Sequence, residues 1–144
     1  MKSIAKKTVL LSIAAIMLVL SVLTISKKVD AGVMYNNASS AALDCSVNSS
    51  GYLQAVMLGT GNAGTSRIAV ELYVEKRVML IFWKRVDIGY PNNTWTDHTS
   101  NNVYSHTFTT ALPSSGTYRV TATYTFSGSG GPDDVITRTD TVSF

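Results

Sequence analysis

A chain of 144 residues with 45% hydrophobic and 15% charged side chains is long enough for one domain with a modest core. Its formal net charge of +3 is not a nucleic-acid signal. Five of the 12 basic residues (Lys2, Lys6, Lys7, Lys27, Lys28) and one of the 9 acids (Asp30) lie in the first 31 residues, leaving 7 basic against 8 acidic residues and no basic stripe for phosphates.

Residues 1–31 have the three parts of a secretory signal peptide: the early lysines, an apolar run over residues 8–26, and Val29-Asp30-Ala31 as a cleavage site before Gly32. That run is also close to the length that spans a bilayer. A retained anchor, with the C-terminal domain held outside the cell, is therefore the alternative to cleavage. Residues 32–40, rich in Asn, Ser and Ala, predict a flexible linker, and residues 41–144 the folded domain. A single cysteine, Cys45, excludes an internal disulfide.

Ala41 to Val47 reads as a strand with Leu43, Cys45 and Val47 inward, Cys45 serving as a small buried hydrophobe. Asn48 to Gly51 carries turn residues, and Tyr52 to Leu58 a second strand. Gly59 to Thr65 is Gly-rich, but the segment after it alternates with period two, so it predicts a turn and not a phosphate cradle. In Ser66 to Lys76, Ile68, Val70, Leu72 and Val74 share one face, while Glu71 and Glu75 share the other as solvated surface. Glu75-Lys76-Arg77 reads as a turn into the apolar run Val78 to Trp83. Such continuity predicts burial on both faces, or one face in the core and the other on a partner, which makes Trp83 and Arg85 candidates for an interaction surface.

Asp87 to Asn101 has no strand pattern and is long for a loop in a compact domain, a mark of function or disorder. Its Tyr90, Asn92, Asn93, Trp95, Asp97 and His98 combine aromatic faces, amides and a carboxylate, the set a sugar-binding surface uses. The competing reading folds Tyr90 and Trp95 onto the core. His98, His106 and Asp97 lack the close ligand spacing of a zinc site, so no metal and no cofactor is expected.

Asn102 to Leu112 alternates again, with Tyr104, His106 and Phe108 in one row. The clearest strand ends at Phe126: Tyr118, Val120, Ala122, Tyr124 and Phe126 fall on one face and Thr117, Arg119, Thr121, Thr123 and Thr125 on the other. Val135 to Phe144 closes the domain with its core face undecided, and Arg138 and Asp140 there are candidates to charge a sheet edge.

Leu112, Pro113, Gly116 and Tyr118 resemble the tyrosine corner that leads into the sixth strand of immunoglobulin-like sandwiches. Val120 stands where antibody domains have Cys, so the likeness is to the disulfide-free, fibronectin III-like branch. Trp83, Lys84, Arg85 and Val86 are in turn similar to a hairpin of small exported bacterial β-sandwich proteins. With seven strand candidates and no amphipathic helix after the leader, the expectation is an all-β, two-sheet antiparallel β-sandwich, Ig-like or fibronectin III-like, of about seven strands behind an N-terminal hydrophobic signal helix. The function expected with it is that of a secreted or cell-surface, non-enzymatic module that binds a polysaccharide or a protein partner. The alternatives are a membrane-anchored ectodomain, touching the membrane through residues 8–26, and an extracellular polymer hydrolase, for which no catalytic constellation is visible.

Overall fold

The alternating rows of the sequence become two antiparallel sheets in the computed structural model, which describes residues 34–144. The expected signal peptide, its apolar run and residues 32–33 of the expected linker lie outside the described residues. Eight strands run in chain order: β1 (Ala38–Val47), β2 (Tyr52–Gly61), β3 (Thr65–Val78), β4 (Phe82–Arg85), β5 (Trp95–Thr99), β6 (Val103–Ala111), β7 (Thr117–Gly128) and β8 (Asp134–Ser143). One sheet has the order β1-β2-β6 and the other β4-β3-β7-β8, with β5 also paired to β3. The chain is thus an all-β, two-sheet antiparallel sandwich.

The core lies between the sheets and is built from the rows that alternation marks. Tyr118, Val120, Ala122, Tyr124 and Phe126 of β7 are fully buried, as are Ile68, Leu72 and Val74 of β3. Leu53, Ala55 and Met57 of β2 face them from the smaller sheet. Each Val, Leu, Ile or Met among them contributes about 1.5–3 kcal/mol by leaving water. At the start of β7 the Tyr118 hydroxyl donates to the Ser114 carbonyl four residues upstream, which satisfies the polar end of a buried ring.

The eighth strand is the one that the side-chain pattern conceals. β5 lies inside the stretch expected to be loop, and it forms because its backbone pairs with β3, from Ile68 opposite Thr99 to Leu72 opposite Trp95. The β3 to β4 turn is also displaced from its expected place. Glu75 and Lys76 stay extended because they pair with Arg119 and Tyr118 of β7, and the chain reverses at Met79 to Ile81. The apolar run is accordingly a hairpin tip and not a buried strand.

Within the expected linker, residues 38–40 belong to β1, and Asn36 and Asn37 are tied to the turn before β8. Asn37 is fully buried, and its amide donates to the carbonyls of Gly131 and Pro132 while its side-chain oxygen accepts from the Gly130 amide. Gly130 permits this approach, since a Cβ there would collide with the Asn36 carbonyl.

β8 settles its face in an unusual way. Ile136 points inward, and Asp134, Arg138 and Asp140 share that row. These three polar side chains reach the free edge of β1. Asp134 accepts from the Asn37 and Ala38 amides, Arg138 Nε donates to the Ala41 carbonyl at 2.8 Å, and Asp140 accepts from the Cys45 amide at 2.8 Å. An edge that would otherwise offer unpaired amides to another chain is closed. Burial works to raise the pKa of Asp134, but the amides of Asn37 and Ala38 outweigh it and hold the carboxyl below the usual range. Cys45 moves the other way: burial first, then the charges of Asp140 and Asp44, push its thiol up to about 12.

Candidate functional site

The outer face of the larger sheet gathers aromatic rings and guanidinium groups that lie far apart in sequence. β3 carries Tyr73 and Glu75 outward, β4 Trp83 and Arg85, and β7 Arg119, because register sets Glu75 opposite both Arg85 and Arg119. The Arg119 guanidinium lies 4.4 Å from the center of the Trp83 ring and donates twice to Glu75 Oε2, at 2.9 and 2.6 Å. Arg85 lies 3.6 Å over the Tyr73 ring and donates to Thr94 Oγ1 at 3.0 Å. A guanidinium stacked on a ring face keeps edge donors for other groups, so Trp83 and Arg85 form an ordered, half-exposed surface. Tyr73 and Arg119 were missed in the sequence, because only the β3 to β7 register brings them beside Trp83 and Arg85.

At the end of this surface the β3 to β4 hairpin continues past its last pairing with β7, which is Lys76 opposite Tyr118. From Arg77 onward, β3 pairs only with β4. The tip presents Met79, Leu80, Ile81 and Phe82 at 83%, 82%, 74% and 61% exposure, with Val78 also exposed. Met79 and Leu80 have φ of 50° and 68°, in the left-handed region that Gly, Asn and Asp occupy at less cost.

The Asp87 to Asn101 candidates divide between two places. Tyr90, Asn92 and Pro91 line an open hollow of about 420 Å³ together with Glu71, Thr94 and Thr96. Asn92 and Asn93 sit in a turn at φ of 54° and 52°, closed by the Asn93 amide donating to the Tyr90 carbonyl. Trp95 instead is 7% exposed, its ring 4.8 Å from His106 and 5.5 Å from Phe108, so it has no free face for a ligand. Asp97 accepts from the Tyr104 hydroxyl at 3.1 Å and lies 3.8 Å from His106 Nδ1. His98, one residue on, is exposed on the opposite side of the strand. Among the described residues, no three His, Cys, Asp or Glu side chains gather as a metal site would require. Glu71 is the hollow residue that alternation places outward without showing what it faces; its pairing opposite Thr96 brings it there.

Fold and surface together define a two-sheet antiparallel β-sandwich with a projecting apolar hairpin at one end. Neither a family model nor a curated protein matches the sequence.

Proposed function

We propose that this protein is a small exported, non-enzymatic β-sandwich of immunoglobulin or fibronectin III type, acting by contact with a partner at the cell surface or outside the cell. The observation that carries the reading is the hairpin tip, where four consecutive large apolar residues, Met79 to Phe82, stand in water, whereas the exposed apolar side chains of β2, Tyr52, Val56 and Leu58, are spaced along the strand and less exposed. Exposed apolar clusters on a soluble fold mark interaction surfaces. The type is supported by the strand order and by the Tyr118 hydroxyl bonded to Ser114 where the chain passes from β6 to β7, as a tyrosine corner does. Export rests on the leader alone. Fractionating cells into medium, wall, membrane and cytosol, and sequencing the N-terminus, tests it. A chain starting at Gly32 in the medium or wall is the expected result, an intact chain in the membrane makes it an anchored ectodomain, and a cytosolic protein refutes export.

The hollow favors a second reading, in which a polysaccharide is the ligand. Tyr90, Asn92 and Glu71 line one open space with an aromatic ring, an amide and a carboxylate, which suits a sugar ring better than a flat surface does. Tyr90→Ala is expected to lower retention on an insoluble polysaccharide while Trp95→Ala lowers stability. Unchanged retention of Tyr90→Ala removes the hollow from consideration.

A further inference from the structure

We infer that the β3 to β4 hairpin docks on an anionic lipid bilayer, with Met79 to Phe82 entering the interface and the basic residues behind them meeting the lipid headgroups. This rests on the proposed reading of the hairpin as a contact surface and names its partner.

Charge placement is the first argument. Of the 7 basic residues beyond the leader, Lys76, Arg77, Lys84 and Arg85 flank the apolar tip on both strands. Lys76 lies opposite Lys84, and Val78 opposite Phe82, so the two lysines stand two residues behind the last apolar pair on one face. At strand rise that is about 7 Å, which matches the ~5–10 Å depth at which interfacial segments bury their apolar side below the headgroups. Arg77 lies opposite Trp83 on the other face, where an indole prefers the boundary between chain and headgroup. The nearby acid Glu75 is already engaged by Arg119. An apolar tip with a basic collar is complementary to anionic lipid and repelled by a basic surface.

Shape is the second argument. The tip is a convex turn that bears its apolar side chains in succession at the end of a two-stranded ribbon. A protein partner would need a matching groove, whereas hydrocarbon takes any shape. The hairpin also keeps Met79 and Leu80 at positive φ, where Asn-Gly would relieve the backbone, and strain held at an exposed turn by bulky apolar residues points to a use for those side chains. Beside the collar, an open recess of about 240 Å³ sets Lys76, Lys84 and Arg85 against a single acid, Asp87, and leaves room there for a headgroup.

The test uses the chain from Gly32 onward. All the core residues lie between Ala38 and Ile136 and both sheets are complete by Ser143, so that chain carries the whole folded domain. It is sedimented with vesicles of equimolar phosphatidylglycerol and phosphatidylcholine, and with phosphatidylcholine alone. Binding to the anionic vesicles is expected to be at least about tenfold tighter, to weaken as salt rises, and to shift Trp83 emission to shorter wavelength. The Leu80→Asp/Ile81→Asp double variant, folded by circular dichroism, is expected to bind about tenfold or more weakly. Lys76→Gln/Lys84→Gln should erase the preference for anionic lipid. Wild type that stays in the supernatant, or a double variant that sediments as well as wild type, overturns the inference. A wild-type dimer in size-exclusion chromatography that Leu80→Asp/Ile81→Asp dissociates, without vesicle binding, also overturns it while leaving the hairpin a protein contact. A cytosolic location refutes export separately, since the vesicle result does not depend on it.

Discussion

The β1 edge and the β3 to β4 hairpin are both places where a sheet ends, and they are finished in opposite ways. At the β1 edge, Asp134, Arg138 and Asp140 turn inward from β8 and occupy the backbone groups that another chain could use. At the hairpin the backbone is paired, but the side chains of Val78 to Phe82 are left in water. A fold that closes one boundary with three charged side chains has the means to protect the other. The contrast makes the exposed tip a feature to be explained by what it touches.

The sharpest way to break the open side of that contrast is to truncate two leucines of the hairpin. Leu72 and Leu80 lie in the same hairpin, one fully buried and one 82% exposed. Leu72→Ala is expected to cost about 2–5 kcal/mol in urea unfolding, while Leu80→Ala stays within about 0.5 kcal/mol. Equal losses would show that the tip is packed in solution.

At the sealed edge, Asp140→Ala leaves the Cys45 amide without its acceptor and is expected to cost about 1–2 kcal/mol. Cys45 reports the same change chemically. Its thiol, pushed up to about 12, is protonated and unreactive at neutral pH, and Asp140 is one cause. The variant should react faster with a disulfide reagent than wild type, under conditions where both remain folded.

Asp134 gives the edge a pH dependence of known sign. Its carboxyl is held below the unfolded value, so its stabilization is present above the unfolded pKa of about 3.9 and is lost as pH falls through the lower folded value. The Tm of wild type should exceed that of Asp134→Asn at neutral pH, and the gap should close below about pH 4. A gap that is constant with pH would mean that the charge of Asp134 contributes nothing. The smallest effect is expected at the turn itself: Leu80→Asn, at φ of 68°, should raise stability by up to about 0.5 kcal/mol, because Asn tolerates that backbone.

Much of the sandwich was legible in the sequence because β3 and β7 alternate without interruption, and an alternating row has only one face that can be buried. β5 was not, since Trp95 is its only large apolar residue and its pairing to β3 is a matter of backbone. The turn was misplaced for a related reason. Glu75-Lys76-Arg77 carries the polarity of a turn, yet cross-strand partners on β7 keep it extended, and apolar Met79 and Leu80 occupy the turn that polarity would not assign to them. The candidate loop was legible in part. Tyr90 and Asn92 line the hollow, whereas Trp95 went to the core and Glu71 joined from another strand.

By itself, then, the sequence determined the all-β class, the two principal strands and which of their faces are buried, because these come from the period of the side chains along one strand. Only the tertiary structure decided that Trp83 meets Arg119, that Asp134, Arg138 and Asp140 close the β1 edge, and that the apolar run from Val78 to Phe82 stands in water. Those outcomes depend on register between strands distant in the chain and on where the sandwich stops, and neither is written in the periodicity of any single segment.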